Sequence, residues 1–256
     1  MQKIILGKSE HIGVITLNSP ETYNVLNQQL AREAHQALQS MEDDPEIRVI
    51  IIKGAGKSLC AGVDIKEFMS LDPPGQHQLF CQVENFISYI TRIGKPVIVA
   101  AHGNCVAAGT GLVATCDLAI AAEDARFGAT AINVGLFCAG PSAPLSRSIG
   151  RKKVLELLFT GEMIDAYEAE RIGLVNKVVP NGDLDKAVLE LAHKLASKSP
   201  TAIQLGKRAF YQQVDMHSSA AVDYLIDVLS IIGSFEDASE GIEAFLEKRE
   251  PHWKGK

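Results

Sequence analysis

Main-chain amides, more than side chains, are the reagents this sequence offers. Two strand-to-loop exits, Cys60-Ala61-Gly62-Val63-Asp64-Ile65-Lys66 and His102-Gly103 through Gly111, are rich in small residues that leave backbone N–H groups uncovered. The second leads into a helix, whose first N–H groups have no intrahelical partner and whose dipole favours negative charge. Two such amides converging would hold a developing oxyanion. The alternative is that these glycines serve only tight turns and close packing.

Spacing removes several familiar chemistries. Gly56-Lys57-Ser58 has the ending of a phosphate loop, but the first glycine of that motif would fall at Ile51, inside a predicted strand. Gly109-Thr110-Gly111-Leu112-Val113-Ala114 matches a dinucleotide fingerprint. However, only six residues separate Gly111 from Leu118, whereas a βαβ crossover needs about 10–12. No acid follows at the required distance either. His-Glu-x-x-His and Gly-x-Ser-x-Gly are absent and the seven histidines are scattered, so metal hydrolysis and serine acylation have no support and no metal site is expected. The five cysteines, Cys60, Cys81, Cys105, Cys116 and Cys138, are widely spaced without a Cys-x-x-Cys pair. They read as reduced thiols that pack as small hydrophobes.

Both exits must be held by strands. Ile12–Leu17 reads as the first, and apolar residues at helical spacing from Leu26 to Met41 predict a helix over about Asn24–Asp44. Val49–Ile52 is a β-branched buried strand that feeds the first exit. A helix marked by Leu79, Val83, Phe86, Ile87, Ile90 and Ile93 precedes the buried strand Pro96–Ala101, which feeds the second. The small residues from Gly103 to Gly111 read as a turn before a short helix ending near Cys116, followed by a strand at Leu118–Ala121. A last strand is expected near Val175–Val179, and helices dominate from Asp183 to Lys248, with a long apolar stripe at Ala221, Leu225, Val228, Leu229 and Ile232. This tail either caps the body or packs against another subunit.

Length and composition agree with an α/β globule. The 256 residues are 46% hydrophobic and 22% charged, ample for a large core. A formal charge of −6 gives nucleic acid no global attraction. No apolar run reaches the length of a membrane span, Asp117 interrupting the longest.

In order and spacing, Leu59–Glu67, Lys95–Ala100, Cys116-Asp117, Phe127-Gly128, Val134-Gly135-Leu136, Leu158–Gly161, Ala169–Val175 and Gly241–Arg249 resemble the crotonase (enoyl-CoA hydratase/isomerase) superfamily. The resemblance runs nearly end to end. It implies an α/β spiral of ββα units over residues 1–195 and a C-terminal helical trimerisation region over 196–256, in a homotrimer or dimer of trimers. It further implies an acyl-CoA ligand, with no tightly bound cofactor, whose thioester oxygen is held by the N–H groups of Val63 and Ala108. The CoA would lie along Ala61, Val63, Asp64, Ile65 and Lys66, with Lys66 a candidate phosphate partner and Phe245 and Lys248 reaching a neighbouring subunit's CoA. Asn133–Cys138 and the closing Phe245–Arg249 and Pro251-His252-Trp253 are most similar to the branch of enoyl-CoA hydratase domain-containing protein 3. That branch is mitochondrial in animals. Since the first strand starts close to Met1, no transit segment is read here and a cytoplasmic location is expected.

Where hydratases of the family carry two glutamates, this chain has Gly111 and Ala131, and where dienoyl-CoA isomerases carry an aspartate it has Ala139. Neither residue type can move a proton. Four readings follow: an acyl-CoA enzyme recruiting Cys138, Asn133, Glu67 or His102, or bicarbonate or water in the space left by Gly111 and Ala131; a non-catalytic acyl-CoA binder; a slow enoyl-CoA hydratase; and the dinucleotide protein. Phe68 and Phe137 are candidates to line an acyl pocket or to be ordinary core.

Overall fold

The computed structural model describes residues 2–256. A hairpin of β1 (Ile4–Ser9) and β2 (Ile12–Leu17) leads into α1 (Gln28–Asp43), β3 (Val49–Gly54), α2 (Ile65–Ser70), α3 (Pro73–Tyr89) and β4 (Val97–Ala101). Next come β5 (Asn104–Val106), α4 (Ala108–Thr115), β6 (Leu118–Ala122), β7 (Arg126–Gly128), α5 (Ala139–Ser148), α6 (Arg151–Thr160) and β8 (Met163–Asp165). The chain ends with α7 (Ala166–Arg171), β9 (Lys177–Val179), α8 (Leu184–Ala196), α9 (Pro200–Gln213), α10 (Ser218–Gly233) and α11 (Glu236–Glu247).

Six strands form one sheet in the order β1-β2-β3-β4-β6-β9, and β5-β7-β8 form a second. Only the β1–β2 pair of the large sheet is antiparallel. Because side chains alternate across a strand, β3 divides its run between two cores. Ile50 and Ile52 join the side chains of α1 and α3, while Val49 and Ile51 face Leu184, Val188, Ala192 and Ala196 of α8. The fourfold spacing of those α8 residues forms one apolar helix face. So α8 caps the sheet, and the boundary read at 195/196 falls at this helix's last residue.

Several elements differ from the sequence reading. The helix expected from Asn24 begins at Gln28, capped by Asn27, whose side chain accepts the Leu30 N–H. Asn24 instead has a left-handed backbone, and its buried amide binds Ala55 O and Ser58 O at 2.9 and 2.8 Å. The edge strand β1 was not read because five of its six residues are exposed and do not alternate. The second helix stops at Tyr89, its carbonyls taken up by tight turns through Arg92 that bury Ile90 and Ile93. The small residues from Ala108 lie inside α4, not in a turn.

Beyond α8, apolar side chains remain uncovered. Leu229, Phe245 and Leu246 are 68, 82 and 72% exposed, and Ile226, Ile231 and Ile242 are exposed beside them. No single helix among the described residues is long and apolar enough to cross a membrane.

Candidate functional site

The two exits are stitched together by backbone hydrogen bonds. Leu59 N–H donates to His102 O at 2.9 Å, Cys60 N–H to Asn104 O at 3.2 Å, and Val106 N–H to Cys60 O at 3.1 Å. Gly109 lies so close to the Cys60 carbonyl that any Cβ there would overlap it. Gly62, at φ +97°, lies against the start of α4. A Cβ there would stand 3.1 Å from Ala107 Cβ and 3.8 Å from Ala108 N. Glycine is needed at both places, for the approach at 109 and for the backbone at 62.

The far side of the first exit fixes where its amides point. Ala61 N–H donates to Tyr23 O, Leu26 N–H to Gly62 O, and Asp64 N–H to Leu26 O, at 3.0, 2.7 and 3.0 Å. In this parallel pairing Gly62 O and Asp64 N face Leu26, so the intervening Val63 N–H faces away from it. That amide has no acceptor among the described residues. Neither has Ala108 N–H, which opens α4 ahead of any intrahelical acceptor. The preceding Ala107 is held at φ +50°, ψ −115°, a conformation costing an alanine about 1–3 kcal/mol. Its N–H is fixed on Gly128 O at 2.8 Å. Thr110 adds a second tie, donating to Cys105 O and accepting the Gly128 N–H.

The residues that carry both free amides line one cavity of about 450 Å³. Ala61, Val63, Ile65 and Ala108 line it, and so do Ala131, Ala139 and Cys138. Its apolar wall includes Phe80, Val134, Leu136 and Phe137. Phe68, the other candidate, stands behind that wall with its ring 5.5 Å from Phe80. Asp64 is outside the lining and serves as the cap of α2, its Oδ1 accepting the Lys66 and Glu67 N–H groups at 3.0 and 3.1 Å. Lys66 is exposed at the start of that helix. Phe245 and Lys248 are not brought to this cavity within the chain. Phe245 lines a separate hollow of about 490 Å³ with Leu229, Leu246 and Trp253.

The recruited proton carriers need correction. Glu67 accepts the Gln28 N–H at 3.0 Å, the Asn133 amide binds Gly161 O at 3.2 Å, and His102 Nε2 is 3.2 Å from Gly56 O. None of the three lines the cavity. Cys138 does, but burial pushes its thiol up, with a backbone contact from Ala131 opposing. Cys60 behind the wall is pushed to about 12 by burial. At Gly111 a Cβ would stand 3.1 and 3.2 Å from Pro141 Cβ and Cα, so Pro141 crowds that side of α4, whereas Ala131 lines the open cavity. The fingerprint Gly109–Ala114 is a helical segment within α4, whose eight residues are almost wholly buried, and not a phosphate turn.

Glu84 and Phe80 were missed. They stand four residues apart on α3, on the strip beside the buried stripe of Leu79, Val83, Phe86 and Ile87, and both line the cavity. Polar residues beside a core stripe ordinarily face water. The available signal was an aromatic residue and a carboxylate sharing that strip at i, i+4 spacing.

The enoyl-CoA hydratase/isomerase family model matches residues 7–256. Human enoyl-CoA hydratase domain-containing protein 3, mitochondrial, is 35% identical over 240 residues, 93% of this chain and 79% of that protein. Its crystal structure superposes with a TM-score of 0.95 at 34% identity, covering 98% of this chain and all of that one. An enoyl-CoA hydratase from Mycobacterium smegmatis gives a TM-score of 0.96 at 36% identity over 99% of both chains.

Proposed function

Since the chain belongs to the enoyl-CoA hydratase/isomerase family, we propose that it is an enzyme that binds an acyl-CoA thioester through Val63 and Ala108 N–H and acts on it by a reaction other than efficient syn-hydration. The observation that carries this reading is the pair of unpartnered amides on residues that line a single apolar-walled cavity. Amides fixed in place before substrate arrives cost no reorganisation when charge develops on the thioester oxygen. Hydration also needs groups that deliver water and a proton. Gly111, Ala131 and Ala139, the positions assigned to the family's acids, supply none. The thioester is substrate, and the reading requires no resident cofactor.

Calorimetric titration with CoA and crotonyl-CoA, followed by the loss of conjugated enoyl absorbance at high protein concentration, tests this. Binding is expected, with little or no hydration. Efficient hydration would overturn the exclusion of that reaction, and absence of binding would overturn the ligand. Binding without turnover of any thioester would select the non-catalytic reading.

The assembly proposed is a trimer, alone or paired, closed through α9–α11. The exposed apolar residues of α10 and α11 support it, since contiguous apolar surface of this kind marks an interface. In such an assembly Phe245 and Lys248 would lie near a neighbour's CoA. Sedimentation should give three or six chains at micromolar concentration, and charged replacement of both Leu229 and Leu246 should lower that number.

A further inference from the structure

Glu84 is the one carboxylate among the residues lining the cavity. It comes from α3, whereas the positions that lack acids lie on α4, on the turn at Thr130–Val134, and at the start of α5. Its carboxylate lies against Gly140, and any side chain at 140 would collide with its Oε1. One residue further on, Pro141 crowds a side chain at 111, with its Cβ and Cα 3.1 and 3.2 Å from where a Cβ would stand. Thus the glycine at 140 leaves room for a carboxylate from α3 beside the proline that crowds one from α4.

No hydrogen bond or ion pair to Glu84 exists among the described residues, and burial raises its carboxyl above the ordinary value. The other titratable side chain lining the cavity is Cys138, itself held neutral by burial. A structural carboxylate is normally hydrogen-bonded or paired, because its desolvation is otherwise uncompensated. This one faces a ligand-sized space with its lone pairs unspent.

We propose that Glu84 is the catalytic residue that moves a proton at the α-carbon of the bound acyl group. The inference rests on the acyl-CoA reading of the cavity. With the thioester oxygen on Val63 and Ala108 N–H, the Glu84 carboxylate takes the α-proton. The C–H electron pair becomes the Cα=C bond, and the carbonyl π pair moves to the oxygen held by the amides. Glu84, now a carboxylic acid, returns the proton to the α-carbon. With a β,γ-unsaturated acyl group it can instead deliver the proton to the γ-carbon, shifting the double bond. Each cycle regenerates the carboxylate and needs no other reactant. One carboxylate shuttling one proton suffices for this enolisation. Hydration would ask for water and a proton to be managed together.

The test is exchange of the α-hydrogens of butyryl-CoA in deuterated water, followed by NMR, with butyryl-CoA affinity measured separately by calorimetry. Wild-type protein should accelerate exchange. Glu84→Gln should lower the exchange rate by about 10²–10⁴ with affinity changed only a few-fold, and Glu84→Asp should recover part of the rate. Gly140→Ala, whose Cβ would overlap the present position of Oε1 and so displace the carboxylate, should also reduce exchange. Removing an unpaired, half-buried carboxylate should leave Glu84→Gln at least as resistant to denaturant as wild type at neutral pH. Binding without wild-type exchange overturns the role of Glu84, as does full exchange by Glu84→Gln. Failure of butyryl-CoA to bind wild-type protein overturns the acyl-CoA reading instead.

Discussion

Proline at position 108, introduced together with Ala107→Gly, is expected to lower the turnover of any acyl-CoA the protein processes by about 10²–10³ relative to Ala107→Gly alone. Proline removes one N–H and little else. It is well tolerated at the first position of a helix, and Ala108 is that position in α4. The obstacle lies one residue earlier, because a residue before proline is driven to extended conformations while Ala107 sits at φ +50°, ψ −115°. Glycine at 107 relieves that conflict and the strain an alanine bears there, so the paired variant isolates the amide. The loss should appear chiefly in kcat, since the amide binds most strongly to oxygen that is gaining charge. Equal kcat in the two variants would remove Ala108 N–H from the chemistry.

Asp117→Ala is expected to cost about 3–5 kcal/mol, the usual penalty for stranding one half of a buried ion pair. Asp117 immediately precedes β6, and there Oδ2 accepts from Lys207 Nζ at 2.6 Å and Val97 N–H at 2.7 Å, and Oδ1 from Tyr211 OH at 2.8 Å. Lys207 also donates to Ile90 O and Lys95 O, both at 2.8 Å. One carboxylate therefore fastens α9 to the edges of β4 and β6. Burial pulls the Lys207 ammonium down while Asp117 foremost holds it up, so without Asp117 the penalty is left largely uncompensated. At about 2–4 °C per kcal/mol for a chain of this size, the melting temperature should fall by roughly 6–20 °C. Asp117→Leu with Lys207→Met should recover most of the loss, because both charges leave together. A denaturant midpoint for Asp117→Ala within error of wild type would show that the pair carries no stability.

The strands were legible where one physical signal dominated. Val49–Ile52 and Val97–Ala101 are buried on both faces, and continuous apolar runs are what that environment requires. β5, three residues long, has no such run and owes its existence to pairing with β7 on one side and Cys60 on the other. Asn24 and Asn27 show the limit at a helix start. Both are good caps by residue type, and the choice of Asn27 was made by Ser58 and Ala55, which claim the other amide from more than thirty residues away. The two free amides were legible as small-residue exits, though what brings the exits side by side is the pairing of Cys60 with Asn104 and Val106. Glu84 was not legible, because its meaning comes from Gly140, 56 positions later in the sequence.

The packing of Pro141 over Gly111 bears on how this chain can change. A glutamate placed at 111 would start with its Cβ 3.2 Å from the Cα of Pro141, and any side chain placed at 140 would displace the Glu84 carboxylate. An acid at 111 calls for an accompanying change at 141, so the two positions are coupled and the effects of replacing them will not add.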